Sequence, residues 1–207
     1  MIIGITGAAR SGKSTVAKYL KDLNSEYKIY SLAEELKIEV SMLLPHMDRS
    51  QLGWNGIDWT GPKSTIGREI LQDHAQEVRA KDPNHWLDIV IEKIGQDKPH
   101  HAVIEDVRYC GECEWIKRND GMIVYIHRPE TEQAYIQEDI RTQKQAHQSE
   151  SQWRAWILAN FFDFSSNSRY SKFRVINNNE SLNDLNDIAK ELDYDIQVLK
   201  VNKGQNC

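Results

Sequence analysis

Residues 1–15 of the chain read MIIGITGAARSGKST. The run from Met1 to Thr6 is apolar and β-branched, which predicts a buried strand. Gly7 to Gly12 is a loop of small residues, and Lys13 to about Leu23 carries apolar residues at helical spacing. The stretch therefore predicts a strand, a tight turn and a helix, in that order.

The turn from Gly7 to Ser14 matches the pattern G-x-x-x-x-G-K-[ST] in full. Glycines let the backbone fold tightly, so that N–H groups point at phosphate oxygens, and the following helix adds its positive end. Lys13 is expected to reach the β and γ phosphates, and Ser14 to ligate Mg²⁺. ATP and Mg²⁺ are therefore the expected cofactors. The alternative is a chance match in a Gly-rich turn, and the flanking strand and helix count against it.

Strand and helix patterns alternate along the rest of the chain. Further strands are predicted at Tyr27–Ser31, His101–Ile104, Met122–His127 and Arg174–Asn177. Further helices are predicted at Ala33–Leu44, Thr65–Lys81, Pro83–Ile94, Cys113–Arg118 and Ser181–Leu192. This alternation predicts a parallel sheet covered by helices on both faces. Together with the motif at Gly7–Ser14, it indicates an α/β fold of the P-loop NTPase type, with three α/β/α layers and a parallel sheet of about five strands. Ligands are then expected at the carboxyl ends of the strands.

A carboxylate and a guanidinium follow the strand predicted from His101. Asp106 could order a Mg²⁺-bound water or accept a hydrogen bond from the acceptor, and Arg108 could clamp a phosphate with two hydrogen bonds. A surface ion pair is an equally weighted alternative. Arg128 ends another predicted strand, and Arg141 lies in a polar helical stretch that could act as a lid. With Lys13, these three arginines are the expected catalytic charges, because negative charge spreads over a transferring phosphoryl group.

Composition limits the class of protein. The 207 residues fit one domain, 40% of them are hydrophobic, and the net charge of -5 argues against general nucleic-acid binding. We expect no membrane span, because no apolar run approaches about 18 residues, and the N-terminal stretch does not read as a signal peptide. Three cysteines favour a reducing cytoplasm. Cys110 and Cys113 form a C-x-x-C without the second pair that a zinc site needs, and a redox pair is the lesser alternative to a plain helix start.

Five stretches resemble the bacteriophage deoxynucleoside monophosphate kinases, a branch of the P-loop nucleoside monophosphate kinase fold. They run in the expected order between Ile5 and Leu185: ITGAARSGKST, SLAEELK, REILQDHAQEVRAKDPNHW, VIEDVRYCGECEWIKRNDGMIVYIHRP and VINNNESLNDL. The first is common to many families. The D-V-R-x-x-x-E element followed by G-x-x-V-x-x-x-R-P is more specific.

The resemblance implies two sets of binding residues. ATP is expected to contact Gly7, Arg10, Ser11, Gly12, Lys13, Ser14, Thr15 and, near the adenine, Asn177. The acceptor nucleotide is expected to contact Leu36, Lys37, Arg68, Gln76, Trp86, Asp106, Arg108 and Glu112. The chain departs from the family pattern at Ala75 and Gln76, which leaves the shape of the base pocket open, and it is short between Lys37 and Arg68.

The resemblance also implies an activity. We expect one P-loop kinase domain over residues 1–207, with monophosphate-binding helices within 33–95 and a lid within 129–165. Its reaction would be ATP-dependent phosphorylation of a deoxynucleoside 5′-monophosphate, a small-molecule substrate, in the cytoplasm (of the host, if the chain is phage-encoded). No nucleic-acid or membrane partner is expected, and a homodimer is left open. The alternatives are a kinase of another small acceptor, such as dephospho-coenzyme A, phosphomevalonate or a sugar acid, and a P-loop ATPase outside metabolism.

Overall fold

The computed structural model describes residues 1–43, 65–133, 148–160, 172–178 and 182–204. Its strands are β1 (Ile2–Thr6), β2 (Tyr27–Tyr30), β3 (His101–Val107), β4 (Met122–His127) and β5 (Phe173–Asn177). Its helices are α1 (Lys13–Leu23), α2 (Leu32–Leu43), α3 (Thr65–Lys81), α4 (His85–Asp97), α5 (Cys110–Arg118), α6 (Gln148–Asn160) and α7 (Leu182–Gly204). Residues 129–133 are also helical.

The five described strands form one sheet in the order β2-β3-β1-β4-β5, and every pair is parallel. Parallel strands need long crossover connections, which the helices provide. Thr6 pairs with both Val107 and Tyr125, while His127 pairs with Asn177. The segments that follow β1, β3, β4 and β5 therefore leave the sheet at the same edge. The predicted parallel five-stranded sheet is confirmed.

Helices cover both faces of this sheet. On one face, Ile3 and Ile5 pack in a buried cluster with residues of α1 and α7, such as Leu20 and Leu185. On the other face, a Cβ at Gly4 would meet the side chain of Ile116 in α5. The α6 helix lies on this second face too, where the ring of its Trp153 stands 5.4 Å from that of Tyr125. The predicted α/β/α layering is confirmed.

The chain divides into two compact units. The first comprises Met1–Tyr30 and Lys98–Cys207 and contains the sheet, and the second is Ser31–Asp97, with Val40 and Leu71 buried in its own core. The predicted extents of a monophosphate-binding region and a lid stay predictions, and residues 134–147 and 161–165 of that lid lie outside the described residues. None of the described helices has the length and apolar composition of a membrane-spanning segment.

Helix ends differ from the predictions where tertiary contacts decide them. The α1 and α3 boundaries match. The α5 helix begins at Cys110 rather than Cys113, because the carboxylate of Glu112 reaches back to accept hydrogen bonds from the backbone N–H groups just before the helix. The α7 helix continues far past Leu192, because Ile196 belongs to the buried cluster. Ser181, its predicted N-cap, lies outside the described residues.

Gly121 closes the turn between α5 and β4. Its N–H donates to the carbonyl of Ile116 at 2.9 Å, and the preceding Asp120 has a left-handed φ of 60°. A Cβ at Gly121 would lie 2.8 Å from the carbonyl oxygen of Ile2 and 2.9 Å from that of Ile116. Backbone atoms at this distance cannot move aside as a side chain can, so the turn requires glycine.

Gly121→Ala is expected to lower the free energy of unfolding by about 1–3 kcal/mol, because the added methyl group overpacks against backbone. Gly95→Ala is the matched control, since nothing lies within 4 Å of a Cβ built at that helical position. There the substitution should raise the free energy of unfolding by about 0.5–1 kcal/mol. Urea unfolding followed by circular dichroism measures both, and a neutral Gly121→Ala would contradict the close packing of the turn.

Candidate active site

The loop between β1 and α1 is wound tightly by three left-handed residues. The φ angles are 142° at Gly7, 62° at Arg10 and 103° at Gly12, which is the N-cap of α1. Glycine adopts such angles without the steric cost that a Cβ imposes. The side-chain ammonium of Lys13 donates to the carbonyls of Gly7 at 2.9 Å and Ala8 at 2.6 Å. The loop thus wraps around the lysine that follows it.

Lys13 is only 7% exposed, so its positive charge is held inside the loop. An ammonium removed from water costs several kcal/mol unless polar groups replace its hydration, and the two loop carbonyls do so. Phosphate oxygens are stronger acceptors for the same donor, because they carry negative charge. The arrangement is therefore suited to exchanging backbone carbonyls for a phosphate.

The end of β4 supports the loop from one side. A Cβ at Gly7 would lie 2.5 Å from the carbonyl oxygen of Ile126 and 2.9 Å from the hydroxyl of Ser11, so only glycine allows this approach. The guanidinium of Arg128 donates to the carbonyl of Arg10 at 3.3 Å. The structure thus brings Arg128, predicted as a catalytic residue, against the loop, and its catalytic role stays a prediction.

A buried asparagine supports the loop from β5. The side-chain amide of Asn178 donates to the carbonyl of Ser11 at 2.7 Å, and its backbone N–H donates to the carbonyl of His127 at 2.8 Å. Asn178 is 4% exposed, whereas Asn177, the residue named from sequence, is exposed. Sequence reasoning missed Asn178; the signal was the alternation of the strand, in which Ile176 and Asn178 both point inward. The role of Asn177 near an adenine stays a prediction.

The end of β3 carries the second group of predicted residues. Asp106 and Arg108 flank Val107, which pairs with Thr6 immediately before the loop. Both side chains are half-buried. Glu112 is buried at 4% exposure, and its Oε2 accepts the backbone N–H groups of Arg108 at 2.7 Å and Tyr109 at 3.0 Å. Glu112 therefore fixes the backbone that presents Arg108, and its predicted contact with an acceptor stays a prediction.

The loop residues fit a triphosphate and Mg²⁺. The hydroxyl of Ser11 is buried and has no hydrogen-bond partner within the described part of the chain, so a donor remains for a phosphate oxygen. The first N–H groups of α1 lack intrahelical acceptors by helix geometry. Ser14 stands exposed in that first turn, where its hydroxyl could ligate a cation held by the phosphates, and Thr15 follows it half-buried.

The C-x-x-C pair lies where α5 meets α6. Cys113 is fully buried, and Cys110 donates through Sγ to the carbonyl of Gln152 at 3.1 Å. Burial raises the pKa of both thiols, with nearby glutamates adding to the effect, so thiolates are disfavoured at neutral pH. Among the described residues, no group of three or more His, Cys, Asp or Glu side chains is arranged to hold a metal. Cys110 and Cys113 are therefore packing residues between α5 and α6.

The second unit is organised around the carboxylate of Glu39 in α2. It accepts hydrogen bonds from His74 at 2.8 Å, His85 at 2.9 Å and the indole N–H of Trp86 at 2.9 Å. The guanidinium of Arg79 lies 4.6 Å from the Trp86 ring centroid. One carboxylate thus ties α2 to α3 and α4.

The predicted acceptor residues of this unit lie in α2, α3 and α4, the helices that the structure describes there. Trp86 is 2% exposed, and the structure gives it a packing role, so its predicted place in an acceptor pocket stays a prediction. Leu36 and Lys37 are half-buried in α2, and Gln76 is exposed in α3. Arg68 also lies in α3, and nothing is described of its side chain, while Arg141 falls outside the described residues. The roles of these five residues stay predictions as well.

Glu39→Gln is expected to lower the free energy of unfolding at pH 7 by about 1–2 kcal/mol, because charge-assisted hydrogen bonds become neutral ones. Burial tends to raise the pKa of Glu39, but hydrogen bonds from His74, His85 and Trp86 outweigh it and leave the pKa lowered. A lowered pKa stabilises the fold above the ordinary carboxyl pKa, and this contribution disappears as pH falls through the lowered value.

Urea unfolding at pH 7 and at successively lower pH tests this effect of Glu39. The difference between wild type and Glu39→Gln should shrink as pH falls into the acid range. Glu77→Gln, on the exposed face of α3, is the control, and its effect should stay within about 0.5 kcal/mol. A pH-independent difference for Glu39→Gln would contradict the role of the ionised carboxylate.

The chain is distantly similar in structure to solved proteins. The chain is similar to a protein titled TT1252 from Thermus thermophilus, with 21% sequence identity, a TM-score of 0.46, and coverage of 93% of this chain and 95% of that one. It is also similar to the dephospho-CoA kinase from Campylobacter jejuni, with 16% identity, a TM-score of 0.43, and 96% of both chains covered. No protein-family model matches the chain, and no curated protein matches it. Both likenesses are too distant to carry an argument about substrate or mechanism.

Proposed function

We propose that this chain transfers the γ-phosphoryl group of ATP to a deoxynucleoside 5′-monophosphate. The observation that supports the proposal most directly is the pairing of Thr6 with Val107. The phosphate-type loop begins directly after Thr6, and Asp106 and Arg108 flank Val107. The loop proposed to hold the triphosphate and the segment that carries Arg108 therefore follow the ends of two neighbouring parallel strands. A kinase with a phosphorylated acceptor requires such a side-by-side arrangement.

The chemistry asks for charge and position rather than for a strong base. The acceptor phosphate oxygen is already anionic at neutral pH, so no side chain has to remove a proton from it. Lys13 would neutralise charge on the donor phosphates, and Arg108 would hold the acceptor phosphate with two parallel hydrogen bonds. When Mg²⁺ is bound, with Ser14 as its protein ligand, it supplies further charge neutralisation. Glu112 contributes by fixing the backbone at Arg108.

The choice of a deoxynucleoside monophosphate rests on sequence resemblance. The Asp106-Val107-Arg108 run with Glu112 four residues after Arg108 is the specific element of the likeness. Its arginine favours an acceptor that carries a phosphate, which fits a nucleotide and fits dephospho-coenzyme A less directly, because there the acceptor atom is a hydroxyl. The base and sugar would be recognised by other residues, among which Leu36, Lys37 and Gln76 remain candidates.

An ADP-release assay with ATP and a panel of acceptors tests the function. We expect turnover with one or more deoxynucleoside monophosphates, and none with dephospho-coenzyme A, phosphomevalonate or a sugar acid. Lys13→Ala should lower kcat by about 10²–10⁴-fold, because the donor phosphates lose the buried ammonium. Circular dichroism checks that the variant is folded. Hydrolysis that no acceptor stimulates would instead favour a P-loop ATPase.

Arg108→Ala is expected to raise the KM of the monophosphate by about tenfold or more, while the KM of ATP changes by less than about threefold. The reason is that Arg108 follows β3, whereas the triphosphate loop follows β1. Arg118→Ala is the control, because Arg118 is exposed in the last turn of α5. Equal effects on both substrates would remove Arg108 from the acceptor site.

A further inference from the structure

Three side chains at the end of β4 form a hydrogen-bonded group, which we call the Glu132 cluster: Tyr125, His127 and Glu132. The Oε1 of Glu132 accepts from the Tyr125 hydroxyl at 2.5 Å and lies 3.0 Å from Nδ1 of His127. The Tyr125 hydroxyl and the same Nδ1 are 3.1 Å apart. The Glu132 side chain is 15% exposed, so these contacts replace much of its hydration.

Tyr125 is the fixed end of the cluster. Its backbone pairs with Thr6 inside the sheet, and its ring lies 5.4 Å from the ring of Trp153. Burial raises the pKa of the Tyr125 hydroxyl, and the hydrogen bond to Glu132 raises it further. The hydroxyl is therefore a neutral donor throughout the physiological range. Through this hydrogen bond Glu132 is attached to β4, whose position is set by the sheet and not by the residues around Glu132.

His127 and Arg128, which lie between Tyr125 and Glu132, carry the contacts to the loop between β1 and α1. The carbonyl of His127 accepts from Asn178, whose side chain holds the carbonyl of Ser11. Arg128 donates to the carbonyl of Arg10 at 3.3 Å. Arg128 itself is held loosely: its guanidinium lies 3.7 Å from a carboxylate of Glu130 that is 78% exposed. Such exposed pairs contribute little.

The backbone, rather than the guanidinium, therefore sets where Arg128 lies. The N–H groups of Thr131 and Glu132 both donate to the carbonyl of Arg128, at 3.1 Å and 3.2 Å, and the hydroxyl of Thr131 donates to it at 2.9 Å. These bonds make residues 128–132 one compact turn. The turn is closed at its far end by Glu132, which returns to the sheet through Tyr125 and His127.

We infer that Glu132 is a positioning residue for the nucleotide-binding loop: by holding Tyr125 and His127 it fixes the turn that places Arg128 against that loop. The inference rests on the proposed function, because it assigns the loop a triphosphate. The inference can be tested by nucleotide binding, without turnover, since Arg128 contacts the loop between β1 and α1. Neither Glu132 nor Tyr125 needs to touch a substrate.

The experiment is a double-mutant cycle on nucleotide binding. Isothermal titration calorimetry would measure the affinity of the Mg²⁺ complex of adenylyl imidodiphosphate for wild type, Glu132→Ala, Arg128→Ala and the double variant. Each single variant is expected to bind about tenfold more weakly, and the double variant no more weakly than Arg128→Ala. This coupling separates positioning from a general loss of structure, because independent effects would multiply to about a hundredfold.

Conservative variants make the result independent of a folding failure. Glu132→Gln keeps an acceptor oxygen and Tyr125→Phe keeps the packed ring, so each should weaken binding by about threefold and retain the wild-type far-ultraviolet circular dichroism spectrum. Glu130→Gln is the matched control, since it removes the same charge from the same turn. Its affinity should stay within about twofold of wild type.

Each of the other outcomes contradicts a specific part of the inference or of the proposed function. If wild type binds the nucleotide and Glu132→Ala, or the two conservative variants, bind equally well, the inference about Glu132 is wrong and the proposed function stands. If the losses multiply, Glu132 does not act through Arg128. If Glu130→Gln weakens binding as much as Glu132→Gln, loss of a charge in this turn explains the effect, and the hydrogen bonds of Glu132 do not. If wild-type protein binds no adenine nucleotide, the proposed function is wrong, and the inference falls with it.

Discussion

The buried ammonium of Lys13 constrains the loop around it. Its charge is removed from water, and the carbonyls of Gly7 and Ala8 take the place of that water. Those carbonyls can turn inward only because the backbone takes left-handed angles at Gly7 and Gly12. A Cβ at Gly7 would meet the carbonyl oxygen of Ile126 at 2.5 Å, and a Cβ at Gly12 would lie 3.0 Å from the side-chain amide of Asn178 and 3.1 Å from Leu185. The glycines of the motif thus allow both the left-handed backbone angles and the close packing around the loop.

The parallel sheet supplies what the loop cannot supply for itself. A tight turn has few internal contacts, so its shape depends on neighbours. Because all strands run the same way, the ends of β3, β4 and β5 reach the edge where the loop begins. From β4 comes Arg128, and from the end of β5 comes Asn178, each bonded to a loop carbonyl. The fold class is therefore the cause of the local geometry, since antiparallel neighbours would place such groups at the opposite edge.

Local patterns predicted the elements well and the long-range contacts poorly. The α1 helix was predicted to its boundaries, because the glycine-rich motif marks its start and its apolar face is regular. The contacts of Glu39 could not be predicted, since its partners His74 and Trp86 lie 35 and 47 residues away and nothing in their spacing marks them. Asn178 was missed because it stands in a run of three asparagines, where only the strand alternation separates the inward residue from its neighbours.

The acidic composition of the chain is compatible with a polyanionic ligand for a reason visible in the contacts. A net charge of -5 would repel phosphates if its carboxylates faced the strand ends unpaired. Two glutamates near that edge instead direct oxygens to the protein: Glu112 to two backbone N–H groups, and Glu132 to Tyr125 and His127. Hydrogen bonds that a carboxylate accepts offset part of its field. The local charge at the strand ends thus depends on which carboxylates are compensated there, and the total charge of the chain does not decide it.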